Sequence, residues 1–149
     1  MTAASRTALL AGLVGALAAC ADFSSPQDPT SGLPDVLIAN PSLATNIQPL
    51  FDKRCAQGGC HTPAVHQAGL VLAAGASYAN LVNVTSTLAS PTMKRVLPGD
   101  HANSYLWVML QPDSLLRPLH PRMPLAAQPL TANQLQNIVT WIDNGALDN

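Results

Sequence analysis

No glutamate occurs in the 149 residues, so all eight acidic groups are aspartates, and only 10% of the chain is charged. Ordinary soluble domains carry roughly 25%. With a net charge of -1 at pH 7, the chain has neither the basic surface of a nucleic-acid binder nor an acidic solvating tail, and no electrostatic partner is implied. Aromatics are scarce as well: two each of Trp, Tyr and Phe. The longest apolar run, Ala8 to Ala19, falls short of the ~20 residues that span a bilayer, which excludes a polytopic membrane protein. Yet 48% of the residues are hydrophobic, too many for an intrinsically disordered chain. The length is that of one domain.

That apolar run follows a short polar segment whose only charge is Arg6, as in a secretory signal. It closes on Leu17-Ala18-Ala19-Cys20, which resembles the bacterial lipobox, whose cysteine becomes the lipidated first residue after cleavage. Residues 1–19 are therefore expected to be a lipoprotein signal peptide, and Cys20 the lipid anchor. An ordinary signal with an incidental cysteine, or a buried apolar helix, are the alternatives. Residues 20–40, with Ser24-Ser25-Pro26, Asp28-Pro29, Gly32 and Pro34, bury too little apolar surface to repay their ordering entropy and read as a flexible tether. The folded domain is expected over 41–149, in the cell envelope, on the periplasmic or outer side of the membrane that holds the lipid.

Within it, Ile47, Leu50 and Phe51 predict an amphipathic helix over 46–54, with Pro49 in the first turn and Gly58-Gly59 ending it. A short helix is expected over 77–84. Pro98-Gly99-Asp100 reads as a turn, and Ser104 as the cap of a helix carrying Tyr105, Leu106, Val108 and Met109. Five prolines between Gln111 and Pro129 forbid a helix or central strand there, so this is a long stiffened loop. Its leucines and Met123 are too apolar for disorder, so it must pack on something. Thr131 and Gln134 form a capping box ahead of Leu135, Ile138, Val139 and Ile142, and Gly145 stops that last helix. Short helices and long loops make an all-α class. With so few aromatics, the side chains alone promise a poor interior.

Two further cysteines stand in Cys55-Ala56-Gln57-Gly58-Gly59-Cys60-His61, a C-x4-C-H pattern. The shorter C-x-x-C-H is the c-type haem attachment motif: two thiols add to the two vinyl groups of the porphyrin, and the adjacent histidine becomes an axial ligand of the iron. Here the loop is longer by two residues, and the two glycines supply the backbone freedom to fold them away. The plain structural alternative is a disulfide between Cys55 and Cys60, at home in an oxidising periplasm, with His61 incidental. A zinc or copper site on the same three residues lacks a second ligand pair of the usual spacing.

The stretch Ile47-Gln48-Pro49-Leu50-Phe51-Asp52-Lys53-Arg54-Cys55, then Cys60-His61, Gly69-Leu70-Val71-Leu72, Val96-Leu97-Pro98-Gly99-Asp100, Ser104-Tyr105-Leu106, Met123-Pro124 and Trp141-Ile142-Asp143-Asn144-Gly145-Ala146 resembles the planctomycete-type cytochrome c domain. That family is related to the class I cytochromes c, and the likeness covers about residues 45–146. It implies a cytochrome c-like fold wrapped around one covalent haem c, held by Cys55 and Cys60, with His61 and Met123 as axial ligands. The proline-rich loop would then carry Met123 across the face opposite His61.

His120, three residues from Met123, is the chief competitor and would make the iron bis-histidine with a lower potential. Met93 competes too; His66 and His101 read as surface-loop residues, Met109 as core, and Trp107 and Trp141 as packing groups or indole donors to a propionate. Arg95, Arg117 and Arg122 read as solvated charges or propionate partners. Iron ligated on both sides has no open position, so the resemblance implies electron transfer at comparatively high potential, not enzymatic catalysis. The partners expected are the membrane, through the lipid, and redox donor and acceptor proteins; no nucleic acid is expected. Two other functions stay open: a haem sensor or peroxidase-like enzyme with an open sixth site, and a haem-free, disulfide-bonded lipoprotein.

Overall fold

The computed structural model describes residues 32–89, 91–112 and 120–149. The expected signal peptide, Cys20, most of the tether and Arg117 lie outside the described residues. Regular structure among those described is helical: α1 (Gln48–Arg54), α2 (Ser77–Leu81), α3 (Tyr105–Leu110) and α4 (Ala132–Asp143), with a wide helical turn at Leu43–Ile47 and a 3-10 turn at Gln67–Gly69. Only isolated bridges pair extended backbone, as between Val82 and Val96. No helix among the described residues is long and apolar enough to cross a membrane.

Helical backbone begins earlier than the apolar spacing suggests, because the wide turn at Leu43–Ile47 runs directly into α1. Ser42 caps the wide turn through its hydroxyl, which accepts from Thr45 N–H at 3.2 Å, and Asn46 Oδ1 accepts from Ser42 N–H at 2.9 Å. Pro49 then sits within the first turn of α1, where an amide would lack a partner anyway. The helix stops at Arg54, ahead of the Gly58-Gly59 pair expected to end it. Likewise α2 stops at Leu81, not at 84, because Val82 turns extended and the chain hydrogen-bonds across: Asn83 N–H to Val96 O at 2.9 Å and Val96 N–H to Leu81 O at 3.0 Å.

Ser104 occupies the position ahead of α3, but its side chain does not cap the helix. Its hydroxyl accepts from Leu97 N–H and donates to Asp100 O, both at 2.8 Å, bracing the Pro98-Gly99-Asp100 turn. Tyr105 and Leu106 give their first-turn amides to the carbonyls of Lys94 and Arg95, each at 2.9 Å. The donors that a cap would serve are thus met by a neighbouring strand-like segment.

α4 follows its sequence signals residue by residue. Thr131 and Gln134 exchange both bonds of the capping box. At the other end Gly145, at φ +100°, gives its N–H to Ile142 O, and Ala146 gives its own to Trp141 O at 2.8 Å, a complete Schellman closure. The buried face of α4, with Ile138, Trp141 and Ile142, meets Ile47, Leu50, Phe51, Leu72, Leu81 and Val96 in one continuous core. Side chains therefore do build an interior, despite the shortage of aromatics. What they leave is a half-buried apolar fringe on that core, which includes Cys55, Ala56, Leu70 and Met123.

The folded unit also begins earlier than residue 41. Asn137, on α4, accepts from Ile38 N–H and donates to Val36 O, both at 2.9 Å, as a neighbouring strand would. Thr131 Oγ1 donates to Asp35 Oδ1 at 2.6 Å, and Asn133 Nδ2 to Asp35 O at 3.0 Å. Residues 35–38, read from composition as the end of a tether, are therefore bound to the domain. Replacing Asn137 with alanine removes two of these bonds, and urea titration should find the domain about 2 kcal/mol less stable. A chain starting at residue 39 should lose a comparable amount, and the two changes together should cost little more than either alone.

Candidate functional site

The chain leaves α1 at Cys55, whose N–H still reaches back to Phe51 O at 2.8 Å. The extra residues of the C-x4-C-H pattern then fold outward. Cys60 N–H donates to Gln57 O at 3.0 Å, closing a tight turn in which Gly59 takes φ +86°, a region costly for any side chain. His61 N–H returns to Cys55 O at 3.2 Å, so the ends of the motif stay together while the surplus backbone projects into solvent. Cys55 is half-buried and Cys60 exposed, and both are free thiols. Burial pushes the Cys55 thiol from its ordinary 9.0 up to about 12, the adjacent Arg54 opposing the shift and Cys60 adding to it.

The His61 ring is oriented by backbone. Its Nδ1 lies 3.3 Å from Leu70 O. A carbonyl only accepts, so Nδ1 carries the proton and the lone pair of the neutral ring falls on Nε2. Burial lowers the pKa of His61, against the opposing effect of the Leu70 and Gln67 carbonyls, and the charge of Arg95 lowers it further. The neutral form favoured here is the one a metal ligand needs. Leu70 itself follows a contorted turn with His66 at φ +37°, Ala68 at +56° and Gly69 at +65°. Beyond it, Leu72 N–H donates to His61 O at 2.8 Å, and Leu72 O accepts from the buried Gln48 Nε2 at 2.9 Å. Ser77 of α2 donates in turn to Gln48 Oε1, so one polar chain links α1, the histidine loop and α2.

Met123 is half-buried and borders both the main core and a second cluster formed by Tyr105, Val108 and Met109. Its N–H donates to Met109 O at 2.8 Å, and a cis peptide bond joins it to Pro124. At the far end of the same loop, Gln128 O and Pro129 O accept from the Arg54 guanidinium, the latter at 3.4 Å. The described part of the proline-rich loop is therefore fastened to α3 at one end and to the residue before Cys55 at the other.

The remaining candidates fall elsewhere. Met109 is buried core and Met93 half-buried against the second cluster. His66 is exposed with Nδ1 at 3.3 Å from Pro63 O, and His120 is half-buried on the loop of Met123. His101 is not a free surface group: its Nδ1 meets both Asp143 oxygens at 2.8 Å, and its ring stands edge-on to Trp107 at 5.4 Å. The indole N–H of Trp141 goes to Leu147 O at 3.0 Å, inside the protein. Arg95 is not a free charge either, since its partly exposed guanidinium binds three backbone carbonyls. Arg122 is half-buried.

Sequence reading misses what holds the site: Leu70 O, Arg54, and the use of Arg95, read as a solvated charge or propionate partner, to gather backbone carbonyls. All of these contacts are to carbonyl oxygens, which every residue carries; only Gly69 hints at an unusual turn. Among the described residues, no three of His, Cys, Asp and Glu gather as a metal site. The donors that do come forward are one imidazole nitrogen, two thiols in one loop and one thioether on the apolar fringe. A haem fits that set: thiols for its vinyl groups, Nε2 and a thioether sulfur for its iron, and half-buried apolar surface for its ring. No known protein family matches the chain, and no curated protein or solved structure is significantly similar to it.

The thiolate is the reactive form of cysteine, so burial should make Cys55 slow to react while Cys60 stands exposed. In folded, haem-free chain at pH 8, iodoacetamide should modify Cys60 well before Cys55, read by peptide mass spectrometry. A folded-state value above the unfolded one also stabilises the protein fully below pH 9.0, and that contribution is lost as pH rises toward about 12. Denaturant stability should fall across this interval, and the fall should be smaller in Cys55→Ala.

Proposed function

We propose that this protein is a lipid-anchored monohaem c-type cytochrome with a cytochrome c-like fold, an electron-transfer protein and not an enzyme, tethered through Cys20 to a membrane of the cell envelope. The observation that carries the reading is the His61 Nδ1–H donation to Leu70 O, immediately beside two free thiols of one loop. An incidental histidine after a cysteine has no need of a fixed tautomer; a ligand does. The order of motifs along residues 45–146 supports the same conclusion.

Each thiol would add its S–H across one vinyl group: a carbon–sulfur bond forms, the hydrogen goes to the other vinyl carbon, nothing leaves, and no oxidant is consumed. Both sulfurs must be reduced for this. Haem c, when bound, supplies a one-electron iron couple. His61 would hold the iron through Nε2, and the Nδ1–H bond to Leu70 O would keep the ring from turning away. Met123 offers its sulfur as the other, on a loop fastened at both ends. A thioether favours ferrous iron more than a second imidazole does, which sets the expected potential high among c-type cytochromes. With both positions held by protein, the chain's task is to keep the ligands in nearly the same place in either oxidation state.

The chain should be made in a periplasm with the c-type maturation system, its spectrum recorded oxidised and reduced, and then denatured. Sharp reduced bands with haem retained on the denatured chain are expected. No haem, with one Cys55–Cys60 disulfide by mass, overturns the proposal. Met123→Ala should keep the covalent haem but give a high-spin spectrum or a switch to His120, with a lower potential; an unchanged spectrum and potential would remove Met123 from the ligand set.

A further inference from the structure

Arg95 sits in a segment whose backbone is fixed on both sides. Its N–H donates to Val84 O at 2.7 Å, and its carbonyl accepts from Leu106 N–H at 2.9 Å. From that anchor the guanidinium reaches across the fold to three neutral acceptors. Nη1 donates to Asn80 O at 2.9 Å, and Nη2 donates to Ala68 O at 2.9 Å and Gly69 O at 3.2 Å. An arginine given over to main-chain carbonyls is serving as a brace, and the rigid fork of its donors suits that use better than an ammonium would.

What it braces is the contorted turn. Ala68 at φ +56° lies in the left-handed region, which costs a residue with a Cβ on the order of 1 kcal/mol. Charge-assisted hydrogen bonds to its carbonyl and the next offset that cost. The Gly69 carbonyl and the Leu70 amide share one rigid peptide plane. With that plane clamped, only the two backbone angles of Leu70, φ -108° and ψ 124°, separate the brace from the carbonyl that receives the His61 proton. On the other side the Leu72 N–H bond to His61 O holds the same stretch.

We infer that Arg95 is the positioning residue of His61: by gathering the Ala68 and Gly69 carbonyls it aims Leu70 O at Nδ1, selects Nε2 as the donor nitrogen and sets how basic that nitrogen is toward bound iron. The inference rests on the haem reading above. A firm Nδ1–H bond raises the basicity of the ligating nitrogen and favours ferric iron; a loose one does the reverse.

The test uses the full chain loaded with haem, compared with Arg95→Lys, which keeps the charge and loses the fork, and Arg95→Gln, which loses both. Two quantities are read: exchange of the His61 Nδ1–H with solvent in the diamagnetic ferrous protein by NMR, and the reduction potential. In Arg95→Lys, exchange should quicken about tenfold, as for loss of one neutral hydrogen bond, and the potential should rise. Arg95→Gln should exchange as fast but show a lower potential than Arg95→Lys, because a nearby cation has gone. Gly69→Ala gives a second route, since it strains the clamped turn at φ +65° while Arg95 and its charge remain, with Nη2 about 3.8 Å from the added carbon. It should move both readouts in the direction of Arg95→Lys. Exchange and potential equal to wild type in Arg95→Lys and Gly69→Ala overturn the inference while leaving the haem reading intact. A wild-type chain without covalent haem overturns both.

Discussion

A neutral imidazole presents a lone pair at one nitrogen only if the other nitrogen has somewhere to put its proton. In this chain that place is the carbonyl of Leu70, 3.3 Å from His61 Nδ1. Much of the surrounding structure converges on it. The turn before Leu70 is held by Arg95, the residues after it by His61's own carbonyl, and Leu72 by Gln48 on α1, which Ser77 of α2 completes. The two helices nearest the motif are thus joined to the histidine loop by buried polar bonds as well as by apolar contact.

This manner of construction suits a chain with little charge and little regular structure. Long loops leave many backbone amides and carbonyls that neither helix nor sheet can satisfy, and burying them unpaired is expensive. Uncharged side chains meet that need: Asn137 binds residues 36 and 38, Ser104 braces the 97–100 turn, and Gln48 holds Leu72 O. Arginines take the longest reaches, Arg95 to the histidine loop and Arg54 to the methionine loop. Arg54 also stands next to Cys55, so the end of the methionine loop and the start of the cysteine loop share one anchor. In the electron carrier proposed above, such bracing would serve a purpose beyond stability: ligands that move little between oxidation states leave little to reorganise.

What was legible beforehand follows a physical divide. α4 is read almost to the residue, because a capping box and a Schellman closure are local and use side chains or glycine. Pro49 and the Pro98-Gly99-Asp100 turn are legible for the same reason. Ser104 looks like a cap and is not one, since the amides it would have served find the carbonyls of Lys94 and Arg95, brought there from elsewhere in the chain. The end of α2 moves for a similar cause, Val96 drawing Val82 out of the helix. Composition marked 35–38 as tether because the serines, prolines and glycine of residues 24–34 outweighed the short apolar run Val36-Leu37-Ile38; the contacts that hold it come from α4, about 100 residues later.

By itself the sequence determined the helical class, the start of α4 by its capping box and its stop by Gly145, and the grouping of two thiols and a histidine within seven residues. It also marked Met123, through a proline-rich yet apolar loop. Each of these is a matter of neighbours along the chain, where residue type alone limits the backbone. Only the tertiary structure decided which histidine nitrogen keeps its proton, what anchors the methionine loop, and which carbonyls Arg95 gathers. Those depend on carbonyl oxygens, identical in every residue, and their meaning arises only when distant segments are folded against one another.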